Sequence, residues 1–161
     1  MRDAAFITGA SSGIGLAIAK TMLANGMVVF AGVRKDTDAA ALAALGATPV
    51  KVDITDAEQL SAAVESVRDQ LGEHTRLVVL VNNAGVVVTA PLEFVDLGRL
   101  RWQLEVNVVA QVAVTQSFLP LIRKSSGRVV FIGSTAGYLS APFVGAYSAS
   151  KFAIEAIADS L

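Results

Sequence analysis

Five short apolar runs, each followed by a stretch of helical character, limit what this chain can fold into more than any single residue does. They are AFI around Phe6, VVFAG from Val28, PVKVDI from Pro49, LVVLVNN from Leu77 and RVVFIG from Arg128. Short runs dense in Val, Ile and Leu are how strands read when both faces of a parallel sheet are covered. Between them, Ile14 to Ala24 carries apolar residues at helical spacing, Asp56 to Leu71 aligns Leu60, Val64, Val67 and Leu71, and Leu97 to Arg123 forms one long amphipathic stretch. Asp56 suits a helix N-cap, and Gly26, Gly72 and Gly127 stand where helices should stop. The alternation implies right-handed βαβ units and a doubly wound parallel sheet of about five strands in three αβα layers. At 161 residues, one domain spanning 1–161 is expected.

Composition removes several function classes. The 13 basic and 14 acidic residues are spread along the chain, so no basic stripe points to nucleic acid. Without cysteine, and with His74 as the single histidine, the chain offers no thiolate or histidine cluster for a metal. The N-terminus lacks the apolar core of a secretory signal, which makes the cytoplasm the default expectation. Uninterrupted apolar stretches such as Leu77 to Val81 fall far short of the ~20 residues of a membrane span, so none is expected.

The first strand passes into the first helix through TGASSGIG, Thr8 to Gly15, with glycines at 9, 13 and 15. That spacing differs from the general G-x-G-x-x-G, but the mechanics are shared: a tight turn, close backbone approach, and a helix N-terminus whose N–H groups and dipole suit a pyrophosphate. A P-loop is a poorer reading, because the Gly-Lys-Ser/Thr ending is absent. After the second strand comes GVRKDTD, where Val33 holds the strand end, Arg34 follows and Asp36 is two residues on. An arginine there accommodates the 2′-phosphate of NADP, whereas a carboxylate at the strand end would favour NAD, so NADP is expected over NAD.

Near the end lies YSASK, in which Tyr147 and Lys151 are four apart and therefore share one helix face. A phenol is a poor base at neutral pH. An ammonium about 4 Å away, at an effective dielectric of ~20, favours its ionised form by roughly 4 kcal/mol. Such a pair can give a proton to a carbonyl oxygen, or take one from an alcohol, while hydride moves to or from a nicotinamide. Ser134, in GSTAG after the fifth strand, supplies a hydroxyl to hold the substrate oxygen. A nucleophile elbow fails there because Thr135, not serine, is the third residue, and His74 lies in a polar loop segment. Asn107 falls inside a helical stretch where asparagine is a mediocre helix former, so it needs a reason.

Taken together, TGASSGIG, Asp53 of VDIT, NNAG from Asn82 to Gly85, Asn107, Ser134 and YSASK resemble the short-chain dehydrogenase/reductase family, from Ile7 to the last residue. The resemblance implies a Rossmann-type domain that oxidises alcohols or reduces carbonyls with a nicotinamide cofactor. It places Ser12, Gly13, Ile14 and Gly15 at the phosphates, counts Gly9 and Ser11 among the cofactor-binding residues, and sets Asp53 and Ile54 along the adenine. Asn82, Ala84 and Gly85 would lie on the adenosine side. It implies that Tyr147 is the proton donor, that Lys151 also holds the nicotinamide ribose, and that Asn107 serves a water-mediated relay to the lysine.

The chain stops at Leu161 inside an apolar helical pattern, which reads as a truncated domain lacking roughly another hundred residues of the size common in such folds. The fifth strand is then expected to be an apolar edge, open to association. The resemblance adds a dimer interface on the two helices that carry Asn107 and Tyr147, so a homo-oligomer is expected. The alternative to an active oxidoreductase is a catalytically silent nucleotide-binding or assembly fragment. The resemblance implies a small alcohol or carbonyl compound as substrate. Leu139, Pro142, Phe143 and Val144 form either an apolar mouth for a lipophilic substrate or ordinary packing.

Overall fold

A computed structural model describes all of residues 1–161. Its strands are β1 (Arg2–Ile7), β2 (Val28–Val33), β3 (Thr48–Lys51), β4 (Thr75–Asn82) and β5 (Arg128–Phe131), joined in one sheet of order β3-β2-β1-β4-β5 with every pairing parallel. The helices are α1 (Gly13–Ala24), α2 (Asp36–Ala44), α3 (Ala57–Leu71), α4 (Leu97–Leu104), α5 (Ala110–Lys124) and α6 (Gly145–Ser160). This is the expected doubly wound αβα sandwich, and each apolar run becomes one strand.

The two faces of the sheet carry separate cores, because neighbouring strand residues point to opposite sides. Phe6, Phe30, Val50, Leu77 and Leu80 pack beneath α3 and α5, against Leu60, Ala63, Val67, Val114, Phe118 and Ile122. Ile7, Val29, Ala31, Val33 and Val81 face the other way, toward Ala19 of α1 and Leu42 of α2. Helix α2 has no apolar stripe to announce it, since Leu42 is its one buried residue.

Asp56 caps α3 as its position suggests, accepting from the N–H groups of Glu58 and Gln59 at 3.0 Å each. Gly26 and Gly72 follow their helices with positive φ. Gly127 does not act as a helix stop. Ser126 takes the left-handed turn at φ 51°, and Gly127 is needed for space, because a Cβ there would overlap the Val78 backbone.

The stretch Leu97 to Arg123 is not one regular helix. Glu105–Val109 forms a π turn between α4 and α5, with Ala110 N–H bonded to Glu105 O. Amphipathic periodicity alone does not show such an insertion. Within Leu97–Lys124, an 18-residue window reaches a mean hydropathy of 1.2, enough by length and composition for a membrane-crossing helix although no uninterrupted apolar stretch announces it. Here its apolar side is spent on the sheet through Val114, Phe118 and Ile122.

Candidate active site

Strand order reverses around β1, whose neighbours β2 and β4 lead to helices on opposite faces, and ligands bind outside the strand ends at such a switch point. A cleft of about 610 Å³ opens there, within the range of small-molecule and cofactor sites. Its walls come from the loops after all five strands and from α6. Gly9, Ser11, Ser12, Gly13 and Ile14 follow β1, Arg34 follows β2, Asp53 and Ile54 follow β3, Ala84 and Gly85 follow β4, and Tyr147 and Lys151 come from α6.

The glycine loop fits a phosphate group on two observations. Gly9 has φ +63°, and a Cβ on it would stand 3.0 Å from Ala84 Cα, so only glycine lets the loop lie against the strand-end segment. Ser12 is the N-cap of α1 but makes no side-chain capping bond, in contrast to Asp56 at α3, so the first-turn N–H groups of α1 remain for an anion. Gly15 sits behind this loop, where a side chain would overlap Gly9 O and Asn83 Nδ2.

Two asparagines in succession cannot face the same way at a strand end. Asn82 turns inward, fully buried, with Nδ2 donating to Thr115 Oγ1 at 2.9 Å, so it does not line the cleft as the resemblance implies. Asn83 lines it instead, its Nδ2 donating to Thr8 O and Gly9 O at 2.9 Å each. Thr8 Oγ1 returns the contact by accepting from the N–H groups of Asn83 and Ala84 at 3.0 Å each. The glycine loop and NNAG are thereby tied into one wall. The signal for Asn83 was present in the two-residue alternation of the strand.

At the other end, Tyr147 is half-buried in the first turn of α6 and Lys151 is only 4% exposed. Lys151 Nζ lies 5.9 Å from the centre of the Tyr147 ring and donates to Ile132 O at 2.6 Å. An ammonium has three donors, so two are left for the cleft. Burial pushes the Lys151 pKa down from 10.5, and the Glu155 carboxylate opposes this. A depressed lysine pKa means the ammonium is lost as pH rises through a midpoint below 10.5. Titration of the Lys151 Cε signal by NMR should show that midpoint, and Glu155→Gln should move it lower still; an unchanged or raised midpoint contradicts the arrangement.

Ser134 stands one residue beyond Gly133, which lines the cleft, and caps a single 3-10 turn at Thr135–Gly137. Its Oγ accepts from Ala136 N–H at 3.1 Å, and its hydrogen has no protein acceptor. Asn107 lies in the π turn and is fully buried. Its Oδ1 accepts from Val86 N–H at 2.8 Å, and its Nδ2 donates to Val86 O at 2.8 Å and Ser150 Oγ at 3.0 Å. The side chain braces the cleft wall and makes no hydrogen bond to the side chain of Tyr147 or Lys151. Asp53 Oδ1 is held by Thr55, through N–H at 3.0 Å and Oγ1 at 2.7 Å, leaving Oδ2 unengaged. His74 is exposed between α3 and β4, away from all of this.

Known proteins share this sequence and fold. The short chain dehydrogenase family model matches residues 3–161. An NADPH-dependent 3-dehydrocapnine reductase from Ornithobacterium rhinotracheale is 43% identical over 98% of this chain and 58% of its own length. The mitochondrial D-beta-hydroxybutyrate dehydrogenase of Mus musculus is 36% identical over 98% of the chain and 48% of its own length. Among solved structures, a short-chain dehydrogenase from Streptomyces avermitilis superposes with a TM-score of 0.91 at 34% identity, covering 99% of this chain and 59% of that one. An alcohol dehydrogenase from the archaeon Thermococcus sibiricus, complexed with 5-hydroxy-NADP, has a TM-score of 0.90 at 26% identity, covering 99% and 70%. The chain thus spans about half to three-fifths of the length of the curated relatives it matches. With the glycine loop, the NNAG wall and the Tyr147–Lys151 pair all at one switch point, and the family model matched over 3–161, this chain belongs to the short-chain dehydrogenase family.

Proposed function

We propose that the chain carries the cofactor cleft and proton-transfer pair of an NADP(H)-dependent oxidoreductase that interconverts a carbonyl and an alcohol. One observation carries this reading: Tyr147 and the buried Lys151 open onto the same cleft as the α1 N-terminus. The nicotinamide, when bound, supplies or accepts the hydride. Tyr147 gives its phenolic proton to the carbonyl oxygen, or takes one from the alcohol. Lys151 supports the phenolate left behind and has donors to spare for a ribose hydroxyl. Ser134 donates its free O–H to the substrate oxygen and stabilises its developing charge. Asn107 holds the cleft wall beside the pair through its bonds to Val86 and Ser150.

The charge pattern at β2 favours NADP. Arg34 and Lys35 both line the cleft, whereas Asp36 is engaged by Lys51 at 2.9 Å. Asp38 also lines the cleft, so two cations face one carboxylate there. Arg34→Ser should raise the Kd for NADPH by roughly tenfold or more, the worth of a charged hydrogen bond, and change that for NADH less than threefold. Equal losses for both cofactors would remove the 2′-phosphate assignment.

The substrate side is apolar. Tyr138, Leu139 and Phe143 are exposed near the end of β5, and Phe143 is fixed at φ 70° with its carbonyl accepting from Ala90 N–H at 2.9 Å. This supports a lipophilic alcohol or carbonyl as substrate. Exposed Trp102 and Val109 on the α4–α5 stretch and Phe152 on α6 support a homo-oligomer, testable by light scattering. Titration with NADPH, followed by absorbance at the reduced-nicotinamide band against a panel of aliphatic and aromatic ketones, tests the whole reading. Failure to bind NADPH overturns it; binding without oxidation by any ketone leaves only the silent nucleotide-binding alternative.

A further inference from the structure

Beyond Asn82 the sheet no longer satisfies the backbone of β4, yet residues 83–87 continue as the cleft wall, with Val88 next to them in the chain. Their peptide groups still need partners. One helical stretch meets this segment at every fourth residue, once through the Asn82 side chain and three times through peptide groups. Thr115 accepts from the Asn82 side chain, Gln111 Nε2 donates to Ala84 O at 2.8 Å, Asn107 brackets Val86 N–H and C=O, and Gln103 Oε1 accepts from Val88 N–H. Steps of four on the helix meet steps of two on the wall, running in opposite directions.

The two periods match in length, since four helical residues rise about 6 Å and two extended residues about 6.6 Å. They do not match in angle in a regular helix: four residues overshoot a full turn by roughly 40°, or about 120° from 103 to 115. The π turn at Glu105–Val109 removes most of that drift, because its wider turn rotates each residue less. The insertion therefore keeps four polar side chains in one line. Gln103, Asn107 and Gln111 are fully buried, and Gln103 Nε2 and Gln111 Oε1 have no partner. A half-satisfied buried amide is worse than a methionine of the same length unless its one bond matters.

We propose that Gln103 and Gln111 are positioning residues: with Asn107 between them, they form a ruler on one helix that fixes where the wall Asn83–Val87 stands. That this wall faces a dinucleotide rests on the function proposed above; that the ruler sets the wall does not. Gln111 holds the inner end, beside the glycine loop, and Gln103 holds the outer end.

The test uses Gln103→Met and Gln111→Met in the full chain. Amide exchange by NMR without cofactor should show Val88 exchanging roughly tenfold faster in Gln103→Met, with Phe6 and Ile7 of β1 unchanged. No change at Val88, or an equal rise in β1 from general destabilisation, overturns the ruler. Gln111→Met should raise the NADPH Kd roughly tenfold, whereas Gln103→Met should change it less than threefold. If the parent chain binds NADPH and Gln111→Met binds it equally well, the inner rung has no positioning role. If the parent chain does not bind NADPH, the proposed function fails while the exchange result still decides the ruler. Should a methionine variant not fold, Gln103→Asn, one carbon too short to reach Val88, gives the same exchange readout.

Discussion

Tyr147→Phe is expected to lower carbonyl reduction by about 10²- to 10⁴-fold, the range a positioned general acid contributes, while NADPH binds within twofold of the parent chain. The substitution deletes one oxygen and leaves the ring. Lys151 keeps its bond to Ile132 O and its place 5.9 Å from the ring centre, so the cofactor side of the cleft is undisturbed. A loss confined to turnover isolates the proton. Single-turnover oxidation of NADPH at saturating ketone measures it; turnover unchanged in the variant would strip Tyr147 of the donor role, and a lost NADPH affinity would make it a binding residue instead.

The fold was legible because each apolar run and each periodic stretch answers to its own local rule. Val28–Val33 and Leu77–Asn82 are strands whichever neighbours they find, since nothing else buries both faces of so short a run. The site was legible where backbone geometry dictates residue type, as at Gly9 and at the i, i+4 pair Tyr147–Lys151. It was not legible where partners come from far along the chain. Asn83 reaches Thr8 and Gly9 across some 75 residues, and Gln103 and Gln111 serve a wall whose position no local pattern gives. Asn107 was noticed because asparagine suits a helix poorly. The π turn that explains it depends on tertiary bonds to Val86 and Ser150. Glutamine raises no such alarm, being a good helix former, so nothing in the local pattern singles out Gln103 or Gln111.

Phe118→Ala should destabilise the fold by about 3–5 kcal/mol in urea titration. Phe118 of α5 and Phe6 of β1 are both fully buried, with ring centres 4.3 Å apart and planes at 21°. Such stacking adds about 0.5–1.5 kcal/mol to the area the rings bury. Domains of this kind hold only about 5–15 kcal/mol in total, so the loss removes roughly a fifth or more of it. The same helix presents Gln111 and Thr115 to the strand end and Val114, Phe118 and Ile122 to the sheet. The apolar face decides how tightly the helix is held, and the polar face decides where the cleft wall stands. The folded fraction of Phe118→Ala should therefore bind NADPH within about threefold of the parent chain, because the bonds from Gln103, Asn107 and Gln111 do not pass through the ring. A stability loss below about 1 kcal/mol would mean that α5 is held by something other than its seat on β1. An affinity loss as large as that of Gln111→Met would mean that the two faces of the helix are not separable.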